Sequence, residues 1–238
     1  MSYTAPPVKV GFRGLLFDMD GTIIDSTAAV VNHWHTVGAE IGMDPKVILR
    51  TSHGRRSIDI LKVLAPEKAN WDYVRYMEGL LPKLHGEDAV EIPGARTLLD
   101  SLIAARAPWA IVTSGTEPLV NGWLDRIKLP HPEHLVTAES VKNGKPDPAC
   151  YNLGKQRLNL GGDDSSSSPD VIVFEDSPAG ILSGKAAGCK VIGLVTSHTL
   201  DQVVAAQPDW IIEDLRSVEM VECAGGVVTL QISNALAQ

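Results

Sequence analysis

Four short polar clusters, each close behind an apolar run, carry side chains able to break a phosphate ester between them. The first is Asp18-Met19-Asp20-Gly21-Thr22. A carboxylate such as Asp18 can act as a covalent nucleophile. Asp20, two residues on, can lie near a leaving oxygen and donate a proton. Gly21 allows a tight turn close to a ligand, and Thr22 offers a hydroxyl and an amide to a phosphate. The second cluster is Thr113-Ser114-Gly115, where the Ser114 hydroxyl and the Gly115 amide could bond phosphate oxygens. The third is Gly144-Lys145-Pro146-Asp147-Pro148. Prolines on both sides of Asp147 fix the approach to a following helix and hold Lys145, whose charge can neutralise both nucleophile and phosphate. The fourth is Glu175-Asp176-Ser177-Pro178-Ala179-Gly180. Adjacent acids at the end of an apolar strand are costly unless paired or metal-bound. Mg²⁺ takes one or two carboxylates together with waters and a substrate phosphate, and Asp18, Asp176 and a backbone carbonyl meet that need. Singly, each cluster reads equally well as an acidic turn, a helix cap or a solvated loop. Their number and order are what point to one site.

Short strands alternating with helices would bring these clusters to one edge. Apolar runs at Arg13–Phe17, Trp109–Val112, Val171–Phe174, Val191–Val195 and Trp210–Ile212 read as buried parallel strands. Helical stretches at Ala95–Ala105, Glu117–Ile127, Pro148–Leu158, Pro178–Ala187 and Leu200–Ala206 lie between them. This pattern predicts an α/β fold, a Rossmann-like, doubly wound parallel sheet that binds ligands beyond the carboxyl ends of its strands. The alternation stops between Ser26 and Ile92, where Thr27–Ile41, Ser57–Leu64 and Asp72–Leu84 read as helices and no strand is expected. Residues 26–92 are therefore read as an inserted all-helical cap, and residues 1–25 and 93–238 as a discontinuous catalytic core. Gly225-Gly226 between apolar runs predicts a hairpin over Val218–Ile232. The serines at 165–168 read as a solvated loop.

Standing as FDMDGT, VTSGT, GKPDP and VFEDSPAG, the four clusters resemble the motifs of the haloacid dehalogenase-like phosphatase superfamily, across nearly the whole chain. With SHGRRS (Ser52 to Ser57) and IPGA (Ile92 to Ala95), the sequence resembles the fungal 2-deoxyglucose-6-phosphate and glycerol phosphate phosphatases. The resemblance implies Asp18 as nucleophile and Asp20 as general acid and then base. It implies that Gly21, Thr22, Ser114, Gly115 and Lys145 hold the phosphate. Mg²⁺ would be bound by Asp18, the carbonyl of Asp20 and Asp176, with Glu175 supporting its shell through water. In the cap, Arg56 stands where relatives place a substrate-reading arginine, with His53 nearby and Arg55 at a variable position.

Composition bounds the alternatives. The chain has 238 residues, of which 44% are hydrophobic and 21% charged, and its net charge is −8. No basic cluster suggests a nucleic-acid partner, and no run of 18 apolar residues suggests a membrane span. The start of the chain does not read as a secretory signal. Three scattered cysteines, Cys150, Cys189 and Cys223, fit a reducing compartment rather than a disulfide framework. The expectation is a cytoplasmic, monomeric, Mg²⁺-dependent phosphatase of small sugar or polyol phosphates. Three alternatives stay open: a β-phosphoglucomutase-like mutase, a phosphatase of a larger apolar phosphate, and a non-catalytic binding protein on the same fold.

Overall fold

Strands buried on both faces read as unbroken apolar runs, and those runs assemble into a single parallel sheet. The computed structural model describes residues 2–52, 54–160 and 171–237. His53 and the serines at 165–168 lie outside the described residues. The chain begins with β1 (Val8–Phe12) and β2 (Gly14–Phe17), then β3 (Ile24–Asp25). Four helices follow, α1 (Thr27–Ile41), α2 (Pro45–Ser52), α3 (Ser57–Leu64) and α4 (Trp71–Leu84), before β4 (Val90–Glu91). The alternating part comprises α5 (Ala95–Ala104), β5 (Trp109–Val112), α6 (Glu117–Ile127), β6 (Leu135–Val136), α7 (Ala149–Arg157), β7 (Val171–Glu175), α8 (Pro178–Ala186), β8 (Lys190–Leu194), α9 (Leu200–Ala205) and β9 (Trp210–Ile212). β10 (Val218–Ala224) and β11 (Val227–Ile232) close it.

The main sheet has the order β6-β5-β2-β7-β8-β9, with every pairing parallel. Alternate residues divide the core between its two faces. Leu15, Phe17, Trp109, Ile111, Ile172 and Phe174 pack with α5 and α6. Leu16, Ala110, Val112, Val171 and Val173 pack with Cys150, Tyr151 and Ile181 of α7 and α8. From β2 the chain winds outward to β5 and β6, then returns to β7 on the other side. The carboxyl end of β2 is therefore the switch point at which such sheets hold ligands.

Two strands depart from the expected set. β6 is only two residues long, follows a proline-containing stretch and has no run to betray it. β1 pairs antiparallel with β11, which makes the predicted hairpin a three-stranded sheet of order β1-β11-β10. Its inner residues Phe12, Val228 and Leu230 join the core on the α5 side.

Between the joints, α1 to α4 bury a cluster of their own, including Trp34, Val37, Ile48, Ile58, Leu61 and Val74. The segment is not wholly helical. Val90–Glu91 pairs antiparallel with Ile24–Asp25 as a two-residue ladder that holds entry and exit side by side. α4 rests on α6 with glycine facing proline in both directions. A Cβ on Gly79 would lie 3.1 Å from Pro118, and one on Gly122 would lie 2.7 Å from Pro82. The two backbones come this close because those side chains are missing.

Candidate active site

The strand ends bring Asp18, Lys145 and Glu175 together in a buried chain of contacts. Asp18 follows β2, and its N–H donates to the Phe174 carbonyl at 3.0 Å. Lys145 precedes α7, with a cis Lys145–Pro146 peptide between them. Its Nζ donates to Asp18 Oδ1 at 2.5 Å, to Glu175 Oε1 at 2.6 Å and to the Val112 carbonyl at 3.2 Å. All three ammonium protons thus have protein acceptors. Lys145 is absent from the lining of the cavity that opens on Asp18, so the phosphate contact expected of it is not seen in this arrangement. Burial works against the Lys145 charge, but the Asp18 and Glu175 carboxylates hold its pKa above the usual lysine range. Burial pushes Asp18 well above the ordinary carboxylate range, against the pull of Lys145.

Glu175, at the end of β7, is fully buried and saturated. Besides Lys145, the Tyr151 hydroxyl donates to its Oε1 at 2.9 Å, and the Ser177 N–H and hydroxyl both donate to its Oε2 at 3.0 Å. A carboxylate accepts about four hydrogen bonds, so Glu175 acts as an anchor for its neighbours. Asp176 is freer. Thr22 donates to its Oδ1 at 3.3 Å and Ser197 to its Oδ2. A Cβ on Gly21, whose φ is +89°, would overlap the Asp176 carboxylate, so this turn requires glycine twice over.

Asp20 lines the cavity beside Asp18. Ser26, just before α1, donates to its Oδ1 at 2.5 Å, which fixes the side chain and leaves Oδ2 for other partners. Burial raises the Asp20 pKa to about 6, with the Ser26 hydrogen bond acting in the opposite direction.

The expected phosphate donors divide. Gly21, Ser114 and Gly115 line the cavity. Ser114 Oγ donates to the Gly54 carbonyl at 2.9 Å, across to the helical segment, and the Gly115 N–H donates to Thr113 Oγ1 at 3.0 Å. Thr22 does not face the cavity. It is fully buried, its hydroxyl is used on Asp176 and its N–H on the Met19 carbonyl at 3.2 Å, so the structure assigns it to supporting Asp176 rather than phosphate.

The two arginines also separate. Arg55 lines the cavity, but Arg56 does not. Arg56 is 2% exposed, and its guanidinium donates to Asp59 Oδ2 at 2.7 Å and to the core carbonyls of Ala138, Val141 and Lys142 at 3.1, 2.8 and 3.0 Å. Arg56 therefore ties the helical segment to the core, and the substrate-reading place expected for it is corrected. Sequence reasoning also missed Ser26, Tyr151, Ser197, His33 and Glu78. Each lies on or beside an ordinary helix or loop pattern and is drawn to the site only by packing.

Asp18, Glu175 and Asp176 are all buried, and each presents an oxygen within 4.8 Å of the others. The donors are hard oxygens and Lys145 is the single cation among these four side chains, a set that suits Mg²⁺. With Glu175 saturated, Asp18 and Asp176 are the carboxylates left to hold such an ion.

The family pattern described as haloacid dehalogenase-like hydrolase matches residues 15–194. The chain is 38% identical to glycerol-1-phosphate phosphohydrolase 1 of Saccharomyces cerevisiae over 225 residues, 93% of this chain and 90% of that protein. It is 34% identical to 2-deoxyglucose-6-phosphate phosphatase 2 of the same organism, covering 93% of this chain and 95% of the relative. The crystal structure of a hydrolase from Pseudomonas syringae, at 21% identity, superposes with a TM-score of 0.69 over 85% of this chain and 94% of that one. That likeness concerns the fold alone.

Proposed function

The chain belongs to the haloacid dehalogenase-like hydrolases, and from that membership we propose that it is a Mg²⁺-dependent phosphatase of small sugar or polyol phosphates, working through a phosphorylated Asp18. The observation that carries this reading is the pairing at the β2 end. Asp18 is held by Lys145 at the floor of a cavity, and Asp20 beside it has a pKa near 6. The named activities of the yeast relatives support the substrate class. Three unpaired thiols fit a cytoplasmic site of action.

Asp18 attacks phosphorus in line with the departing alkoxide. Lys145 fixes the attacking carboxylate and offsets its charge. Asp20, held by Ser26, gives its proton to the leaving oxygen as the ester P–O bond breaks and the Asp18–phosphorus bond forms. The ionised Asp20 then takes a proton from water as that water attacks the aspartyl phosphate, releasing inorganic phosphate and restoring the Asp18 carboxylate and the protonated Asp20. A pKa near 6 suits a group that must give and then take a proton near neutrality. A divalent cation on Asp18, Asp176 and the Asp20 carbonyl would supply positive charge against the phosphoryl oxygens and the Asp18 carboxylate. Residues 26–92, read as a cap, contribute His33, Trp34, Arg55 and Leu81 to the cavity lining, and closure of that segment over a substrate would exclude bulk water.

The test is phosphate release from glycerol 1-phosphate, 2-deoxyglucose 6-phosphate and glucose 1-phosphate, with and without Mg²⁺, in the wild type and Asp18→Asn. The expected result is Mg²⁺-dependent release that falls to background in the folded variant. An active Asp18→Asn enzyme would remove the covalent mechanism. An isomerised product from glucose 1-phosphate without free phosphate would make the protein a mutase.

A further inference from the structure

The cavity that holds the nucleophile also contains a carboxylate that the mechanism does not use. Glu78 of α4 is 4% exposed and lines the same cavity as Asp18 and Asp20. Its two oxygens bridge two parts of the molecule. Ser57, at the start of α3, donates to Oε1 at 2.5 Å, and the Thr116 N–H, at the start of α6 and two residues beyond Ser114, donates to Oε2 at 2.7 Å. No lysine, arginine or histidine forms an ion pair with it among the described residues. Burial pushes its pKa up to about 7.

A buried carboxylate held by two neutral donors and no cation is expensive to keep. It retains acceptor capacity, since a carboxylate has about four lone-pair positions and two are used. Two other polar groups of the helical segment that line the cavity suit neutral partners as well. His33 of α1 is 6% exposed, and burial lowers its pKa to about 4, so its imidazole is neutral. Ser52 of α2 is buried, and its hydroxyl has no hydrogen-bond partner among the described residues. A carboxylate, a neutral imidazole and a hydroxyl, on three different helices, match the hydroxyl groups of a polyol, while the Arg55 guanidinium lines the same cavity.

We propose that Glu78 is a specificity-determining residue, accepting a hydrogen bond from a hydroxyl on the organic part of the substrate while joining the helical segment to the loop that carries Ser114. The inference rests on the phosphatase reading and deepens it by naming what distinguishes a polyol phosphate from an alkyl phosphate of the same length. Both halves of the bridge meet at one carboxylate, so reading the hydroxyl also favours the covered state of the cavity.

Glu78→Gln is the informative variant. Its carbonyl can still accept from the Thr116 N–H, and its amide can donate to Ser57, whose hydroxyl reverses its role. Both local contacts are preserved while the charge is lost. The measurement is kcat/KM, with Mg²⁺, for glycerol 1-phosphate against propyl phosphate and for 2-deoxyglucose 6-phosphate against hexyl phosphate. A hydrogen bond to a charged group contributes about 1.5–3 kcal/mol, so the hydroxylated-to-alkyl ratio of the better pair should fall roughly ten- to hundredfold. A ratio that stays within a factor of about three, or both substrates declining by the same factor, overturns the proposal. Should the variant not fold, the wild type still decides, because a ratio near one refutes hydroxyl recognition by any residue of the cavity. Failure of the phosphatase reading looks different, since the wild type would then release phosphate from none of the four compounds.

Discussion

Arg56→Ala separates a structural tie from a substrate contact. The guanidinium is buried, and its four hydrogen bonds join Asp59 to three carbonyls between Ala138 and Lys142. Alanine leaves those carbonyls without a donor and Asp59 without its nearest cation. Bonds to a charged donor are worth about 1.5–3 kcal/mol each but do not add, and breaking a buried charged cluster costs about 3–5 kcal/mol in all. For a chain of this size each kcal/mol moves Tm by roughly 2–4 °C, so the loss should be about 6–20 °C. Differential scanning calorimetry reads that shift, and steady-state kinetics on the same preparation reads the substrate ranking. Gly144→Ala supplies an independent check. Its new Cβ would lie 2.6 Å from Arg56 Nε and 3.0 Å from Asp59 Oδ2, disturbing the same tie with the arginine still present. A Tm shift below about 2 °C in Arg56→Ala, together with a changed substrate ranking, would refute the tie and return Arg56 to the substrate.

Mg²⁺ at about a hundred times its dissociation constant should stabilise the protein by about 2.7 kcal/mol, seen as a rise in Tm that EDTA reverses; an equal rise in Asp176→Asn would move the ion elsewhere. His33 has its pKa lowered from 6.5 to about 4 by burial, with His85 adding to the effect. The unfolded chain therefore binds the proton first, and stability present above pH 6.5 is lost as the pH falls towards 4. Between pH 7.5 and 5 the loss from this group is about 2 kcal/mol, and urea titrations of His33→Gln should show a decline smaller by that amount; equal declines would mean that His33 titrates normally.

The parts of the fold that could be read from the chain are those in which burial alone dictates residue type. β2, β5 and β7 sit in the middle of the sheet with helices on both faces, so nearly every residue is apolar and the polar break at each end is sharp. β6 and β4, at two residues each, are too short for any periodicity to register. β1 was hidden because its exposure pattern depends on a partner strand more than two hundred residues away. The acids and the lysine of the site were readable because several ionisable groups at strand ends have few bland explanations. Glu78 had an ordinary one, since a glutamate in an amphipathic helix is normally solvated, and only the docking of α4 on α6 buries it. Arg56 and Thr22 show the converse. Their neighbours suggested ligand contact, and hydrogen bonds to carbonyls and to Asp176 give them structural work instead.

The pairing of β1 with β11 sets an order of events during synthesis on the ribosome. Val8 lies opposite Ile232, so the first strand emerges with no mate and remains an open edge while the rest of the chain is made. At about 5–20 residues per second, that wait lasts roughly ten to forty-five seconds. Until then an apolar strand with unpaired N–H and C=O groups invites pairing with other nascent chains. A premature stop just upstream of Val227 would make that exposure permanent, so chains that lack β11 should be lost to aggregation or proteolysis although every residue of the catalytic cluster is intact.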